Sequence, residues 1–134
     1  QVCPICVKIA PDLDETGVQE TLEVLQASPI EGVIVSNTTN ARPATLRSQE
    51  AQETGGLSGK PLFEASTQML RQVKAALGDS KALIGVGGVD SAATAASKIA
   101  AGADLVQLYT GYVYKGPGLI GDILDGLDSA AQPS

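Results

Sequence analysis

Histidine is absent from this 134-residue chain, and cysteine occurs only twice. A structural zinc site needs four ligands, usually cysteine or histidine, so no metal site is predicted. Cys3 and Cys6 form a Cys-Pro-Ile-Cys motif that runs directly into strand-like sequence. A redox pair needs a helix N-terminus to lower its thiol pKa, and none is expected at this position. We therefore predict that both cysteines are buried as small apolar side chains.

Positive charge is also scarce, because nine lysine and arginine residues are outnumbered by 15 aspartate and glutamate residues. The net charge of −6 and an isoelectric point near 4.4 argue against nucleic acid or an anionic membrane as the main partner. No apolar run approaches the roughly 20 residues that cross a bilayer, and no secretory signal opens the chain. Strand-like sequence begins almost at once, which we interpret as the start of a fragment.

Four short apolar segments recur along the chain, and each is followed by a helical pattern. The segments are Ile5–Ile9, Val33–Val35, Ala82–Val86 and Leu105–Leu108. They are nearly continuous rather than alternating, which predicts parallel strands covered on both faces. Strand followed by helix, four times over, predicts an α/β fold of the type (βα)4. Such a fold is either a small open sheet or half of an eight-stranded barrel.

The helical patterns are defined by apolar side chains at intervals of three and four residues. These stripes are Val18, Leu22 and Leu25; then Met69, Val73, Ala76 and Leu77; and finally Ile120, Ile123, Leu124 and Leu127. Gly78 is predicted to end the second helix. Asp90 and Ser91 are predicted to cap the third helix, and Gly102 to end it.

Two kinds of connection suggest a ligand site. About 26 residues, from Thr38 to Phe63, separate the second strand from its helix, and so long a connection is usually functional. The third strand ends in a glycine run, Gly-Val-Gly-Gly-Val, which lets backbone N–H groups close around a phosphate. Asp90 stands where a dinucleotide fingerprint has its third glycine, so that motif is disfavoured. A tight turn without any ligand is the open alternative.

Five segments together resemble the dihydroorotate dehydrogenases, most closely the membrane-associated, quinone-reducing class. They are Cys6–Leu13, Val33–Pro43, Thr54–Leu62, Ile84–Ser91 and Gly102–Gly111, and they follow one another in the family's order. The resemblance implies that residues 1–134 are a partial barrel domain. It implies specifically the C-terminal half, the last four βα units, of a TIM (β/α)8 barrel.

The resemblance also implies an activity. These enzymes use flavin mononucleotide (FMN) to oxidise dihydroorotate to orotate in pyrimidine biosynthesis, with a quinone as electron acceptor. Their catalytic base is a serine in an Asn-x-Ser-x-Pro-Asn-like segment, and no such segment occurs here. The helical pair that serves the quinone and the membrane is missing as well. We therefore expect no catalytic residue in this chain, no turnover by the isolated chain, and a complete enzyme at a bacterial or mitochondrial inner membrane.

Site residues are assigned by matching the family's motifs. Those that would contact FMN are Lys8, Ser36, Gly59, Gly88, Tyr109 and Thr110, and those that would contact the orotate ring are Asn37 and Thr38. The family usually has threonine where Ser36 stands, and the hydroxyl is retained. An interior Lys8 paired with Asp12, and simple turn capping by the polar residues after the second strand, are the structural alternatives.

The remaining basic residues near these motifs are predicted to be solvated surface charges without chemistry. They are Arg42, Arg47, Lys60 and Lys115. Two other functions stay open at this point: a different phosphate-binding barrel enzyme, and a non-catalytic half-barrel that serves as a scaffold. A half-barrel leaves two strand edges unpaired, so we expect marginal stability or self-association of the isolated chain.

Overall fold

The structure is a computed structural model that describes residues 3–131. Its strands are β1 (Cys6–Ile9), β2 (Gly32–Val35), β3 (Ala82–Val86) and β4 (Leu105–Gln107). Its α-helices are α1 (Glu15–Ala27), α2 (Phe63–Leu77), α3 (Ala92–Ala100), α4 (Thr110–Lys115) and α5 (Gly118–Ala131), and a 3₁₀ turn (Lys60–Leu62) leads into α2. The predicted alternation of strands and helices is confirmed.

The four strands form one parallel sheet in the order β1-β2-β3-β4. Each strand therefore pairs with the next one along the chain, as in a barrel wall. The register aligns Lys8, Ile34, Ile84 and Leu105 in one row across the sheet. Because aligned residues of parallel strands point to the same side, these four side chains share one face.

The opposite face of the sheet carries the hydrophobic core. Val33, Val35 and Leu83 are fully buried there beneath the buried stripe of α2, which includes Leu70 and Val73. The face with the aligned row carries no helix among the described residues, and Leu105 is 61% exposed. The prediction that both faces are covered is therefore wrong for this chain. Strands of a barrel are covered on the inner face by strands across the barrel, and the four strands within residues 3–131 have no such partners.

The cysteine prediction is also wrong, because Cys3 and Cys6 are both exposed. Cys6 lies at the start of β1, an edge strand, on the same face as Lys8, where no layer covers it. Within residues 3–131 no group of histidine, cysteine, aspartate or glutamate side chains has the geometry of a metal site. In the same residues, no helix combines the length and apolar character that crossing a membrane requires.

The helix ends follow the predicted signals with one change. Ser91 alone is the N-cap of α3, and it forms a reciprocal capping box with Thr94. Asp90 is one position too early to cap the helix. Gly78 is the C-cap of α2, and Gly102 follows the last turn of α3 with a φ of +105°, a conformation that favours glycine.

The predicted apolar stripe of α5 is rotated relative to the observed one. Leu119 and Ile123, four residues apart, are the buried pair that packs with α3. Ile120 and Leu124 are 48% and 56% exposed, although both belong to the predicted apolar stripe. Ala76 of α2 is likewise exposed rather than buried. In each case the period is right, and only the docking of the helix decides which neighbouring position is covered.

Arg42 organises the long connection between β2 and α2. Its guanidinium donates to the carbonyl oxygens of Glu53 and Gly55 at 2.7 and 2.6 Å, and to those of Asn40 and Ala41 at 3.2 Å. The prediction that Arg42 is only a solvated charge is therefore wrong. A planar group with several donors can satisfy carbonyls from both halves of a loop at once.

Candidate functional site

A cavity of about 220 Å³ opens at the carboxyl ends of the four strands. Parallel strands end at the same edge of a sheet, so the connections that follow them meet there. All eight residues predicted to contact ligands line this cavity: Lys8, Ser36, Asn37, Thr38, Gly59, Gly88, Tyr109 and Thr110. The structure thus brings together a residue of β1 and residues from the connections that follow β2, β3 and β4.

Lys8 reaches the cavity from β1 as an exposed side chain. The alternative in which Asp12 pairs with it is wrong, because the Asp12 carboxylate accepts hydrogen bonds from the Thr39 hydroxyl and, at 2.6 Å, from the Asn40 backbone N–H. Within residues 3–131, Lys8 has no salt-bridge partner. Its ammonium is therefore free to meet a ligand of opposite charge.

The segment after β2 presents Asn37 to the cavity with a defined orientation. The Asn37 backbone N–H donates to the carbonyl of Ile9 at 2.8 Å, which ties the segment to β1. The Ser36 hydroxyl donates to the Asn37 carbonyl at 2.8 Å, and the Thr38 N–H donates to the Asn37 side-chain oxygen at 2.9 Å. The polar residues after β2 therefore do cap this turn, as the structural alternative predicted. Within residues 3–131, the Asn37 side-chain NH₂ has no hydrogen-bond partner.

Gly88 lies where two connections touch. It has a φ of +73°, and a Cβ at this position would lie 2.5 Å from the Phe63 Cβ at the start of α2. Gly59 has a φ of +75°, and a Cβ there would lie 3.1 Å from the Thr110 methyl group. A side chain at Gly88 would push the two connections apart, and at Gly59 the positive φ itself favours glycine.

Thr110 begins α4, a short helix in the connection after β4. Its hydroxyl is 3.0 Å from the Ser58 hydroxyl, which joins the last connection to the long one. Tyr109, directly before the helix, is 80% exposed. Its aromatic ring is therefore largely open to solvent in this chain, although the residue lines the cavity.

A second cavity of about 620 Å³ lies beside the first, and Gly59, Gly88 and Thr110 line both. Asp90 lies in this second cavity between two lysines. Its carboxylate is 3.1 Å from the Lys60 ammonium and 3.7 Å from the Lys115 ammonium, which also donates to the Asp90 carbonyl at 2.6 Å. Both lysines are solvated surface charges, as predicted, with side chains that are 80% and 49% exposed, but both also pair with Asp90.

The pKa of Asp90 is held below its ordinary value, chiefly by the hydrogen bond from Lys60, with the charge of Lys115 acting in the same direction. Two ammonium groups face one carboxylate, so the second cavity keeps an excess of positive charge. Sequence reasoning missed this cluster, because the only local signal at Asp90 was its place before a helix.

A wider groove of about 740 Å³ lies on the outer side of the molecule between α1 and α2. None of the predicted site residues lines it, and apart from Pro11 and Leu13 its lining comes from the two helices. The strand mouth is therefore the candidate site.

Four parallel βα units with a ligand-sized cavity at the strand mouth define half of a TIM (β/α)8 barrel. Comparison with known proteins gives the family. A family model described as dihydroorotate dehydrogenase matches residues 1–130, and the chain belongs to this family. The alternative of an unrelated phosphate-binding barrel enzyme is thereby excluded.

Relatives and solved structures agree with the family model. The chain is 52% identical over 127 residues to the dihydroorotate dehydrogenase (quinone) of Brucella ovis, and 51% identical to that of Brucella melitensis. It superposes with a TM-score of 0.91 and 37% identity on the Eimeria tenella dihydroorotate dehydrogenase crystallised with ferulenol. The ligand-free form of that Eimeria protein gives a TM-score of 0.89 at 38% identity.

These matches cover nearly all of this chain but only part of each relative. The matches to the Brucella proteins cover 95% of this chain but only 35% of each relative. For the Eimeria protein crystallised with ferulenol, the values are 95% of this chain and 34% of that chain. The chain thus spans about a third of the length of the relatives it matches.

Proposed function

We propose that this chain provides the FMN and orotate contacts of a quinone-dependent dihydroorotate dehydrogenase. The complete enzyme would oxidise dihydroorotate to orotate in pyrimidine biosynthesis and pass the electrons to a quinone. One observation carries the proposal: all eight residues matched to the family's ligand contacts line a single cavity at the strand mouth. Membership of the family supplies the reaction.

The donor groups at the site fit FMN, which has a flat, amide-edged ring at one end and a phosphate at the other. Lys8 lines the first cavity, and its ammonium, which has no salt-bridge partner within residues 3–131, could bind the flavin ring. The glycine-rich walls of the second cavity, with Lys60 and Lys115, suit a dianionic phosphate. The two cavities adjoin, since Gly59, Gly88 and Thr110 line both, and this arrangement suits an elongated ligand.

When bound, FMN supplies the acceptor for the hydride that leaves dihydroorotate. Lys8 would donate to the pyrimidine edge of the flavin and stabilise the negative charge that develops there. Asn37, whose side-chain NH₂ is free, would donate to a carbonyl of the substrate ring, and the Thr38 hydroxyl would fix the orientation of that ring. These residues bind and orient; none of them is proposed to take the substrate proton.

A base for that proton is not proposed among the cavity hydroxyls. Ser36 is 2% exposed and donates to the Asn37 carbonyl, and Ser58 is engaged with Thr110. We assign the proton acceptor, the quinone site and the contact with an inner membrane to the two thirds of the enzyme that the relatives have beyond the matched region. The isolated chain is therefore expected to be inactive.

A chimera tests the proposal. In it, this chain replaces the matching 127 residues of the Brucella ovis enzyme. We expect the chimera to bind FMN and to reduce a quinone in a dihydroorotate-dependent reaction. Lys8→Met should lower kcat/KM at least 100-fold, because a charge that stabilises the transition state is lost.

Lys74→Met is the matched control, since Lys74 lies in the last turn of α2, pairs with Asp79 at 2.6 Å and lines neither cavity. It should leave kcat/KM within about twofold of the parent chimera. A chimera that folds but neither binds FMN nor oxidises dihydroorotate would refute the proposal and favour the scaffold alternative.

A further inference from the structure

Lys98 of α3 is a completely buried lysine that the proposed site does not use. Its ammonium donates to the Ser66 hydroxyl at 2.6 Å and lies 5.0 Å from the centre of the Phe63 ring. In residues 3–131 no carboxylate lies within salt-bridge distance of it. Burying a charge without a counter-ion is costly, and an apolar side chain would fill the same space more favourably. The lysine therefore serves something other than packing.

The direction of the hydrogen bonds shows what it serves. An ammonium group can only donate, so the Ser66 oxygen must accept from Lys98. The single proton of the Ser66 hydroxyl then points to a carbonyl, and the two within reach are Phe63 at 3.0 Å and Gly87 at 3.2 Å. Lys98 thus orients a hydroxyl whose single proton lies between a carbonyl at the start of α2 and a carbonyl of the glycine turn after β3.

These two segments meet at the wall of the ligand cavity. Gly87 and Gly88 have φ values of +109° and +73°, and both line the cavity. A Cβ at Gly87 would lie 2.7 Å from the Ser66 Oγ, and one at Gly88 would lie 2.5 Å from the Phe63 Cβ. The turn therefore rests directly on the pair of residues that Lys98 contacts.

We propose that Lys98 is a positioning residue: through Ser66 and Phe63 it holds the Gly87–Gly88 turn in the conformation that binds the anionic flavin. Lys98 does not touch the ligand. The role in binding rests on the proposed function, whereas the role in ordering the turn does not.

The test uses variants with a matched control. Lys98→Met keeps the length of the side chain but removes the donor, and Ser66→Ala removes the hydroxyl. Thr67→Val is the control, because Thr67 is equally buried and its hydroxyl also donates to the Phe63 carbonyl, at 2.6 Å, without reaching Gly87. Amide hydrogen exchange over residues 86–90 is measured in the full chain, and the FMN dissociation constant and Tm are measured in the chimera.

We expect Lys98→Met and Ser66→Ala each to speed exchange in the turn and to raise the FMN dissociation constant at least tenfold. Combining the two should add little, because both break one linkage. Thr67→Val should stay within twofold of the parent in both measurements. The Tm of Lys98→Met should be unchanged or higher, which a purely stabilising role would not produce.

The proposal would be overturned if Lys98→Met had the same amide exchange and the same FMN dissociation constant as the parent. It would also be overturned if Thr67→Val and Ser66→Ala had equal effects. If Lys98→Met does not fold, Ser66→Ala and its control decide. If the parent chimera binds no FMN, the proposed function fails, and the exchange measurement alone decides whether Lys98 orders the turn.

Discussion

The two faces of the sheet have similar sequences and opposite surroundings. On the helix-covered face, Val33 and Leu83 are fully buried. On the open face, Ile34 and Ile84 are only partly buried, and Leu105 is 61% exposed. The apolar side chains of these strands therefore match a closed barrel, in which an inner layer of side chains also buries the second face of the sheet. Among residues 3–131, only the outer, helical layer covers the sheet.

The residues that stabilise the fold and the residues that face the ligand also lie on different faces of the sheet. The helix-covered face holds the core, and the open face and the mouth above it hold the ligand-facing residues, with Lys8 in the same row as Ile34 and Ile84. Lys98 is the exception, since it lies on the covered side and reaches the mouth through Ser66. Substitutions on the two faces should therefore have effects of different size and kind.

The largest expected effect is a loss of stability on the covered face. Leu83→Ala should lower the free energy of unfolding by about 3 kcal/mol, because it opens a cavity in a fully buried site. Leu105→Ala, the same change on the open face, should cost less than about 1 kcal/mol, because most of that side chain is already in water. Urea unfolding of the full chain measures both. Equal losses would mean that the open face is covered in solution.

The second effect comes from the buried lysine on the covered side. Burial lowers the pKa of Lys98 from its ordinary 10.5 to about 8, opposed by the charge of Glu64 and reinforced by that of Arg71. Between these two values the unfolded chain binds the extra proton, so the free energy of unfolding should rise with pH from about 8 to 10.5.

The contribution of Lys98 to this rise should be on the order of 2 to 3 kcal/mol. Urea unfolding at pH 7.5, 9 and 10.5, repeated with Lys98→Met, isolates it from the titration of other groups. The stability difference between the parent and the variant should change in favour of the parent as the pH rises. A difference that stays constant over this range would show that Lys98 is not buried as an ammonium at neutral pH.

The sequence predicts the local parts of this structure well and the non-local parts poorly. The strands and most helix ends follow from apolar segments and capping residues such as Ser91, which act through nearby atoms. Lys98 looks like any helical lysine, and only the approach of Ser66 from another helix makes it a buried donor. Asp90 likewise gains its role from lysines on two other connections. The exposure of the inner face could not be predicted, because a local pattern does not show which neighbours are present.

The smallest of the expected effects concerns association. The unpaired edges β1 and β4 and the open face between them should make the isolated chain self-associate, which would cover Leu105. Leu105→Lys should weaken this association about tenfold, or 1.4 kcal/mol, because a charge would have to be buried. Leu124→Lys is the control, since Leu124 is similarly exposed, at 56%, but lies on α5.

Sedimentation equilibrium over a range of concentrations separates these cases. A chain that stays monomeric throughout would show that the open face tolerates water, and a dominant effect of Leu124→Lys would place the contact on the helix layer instead. An association that depends on Leu105 would mean that the face which lacks its inner layer rebuilds one from a second copy. Both faces of the sheet would then be buried, one by the helices of the same chain and the other by a second copy of the chain.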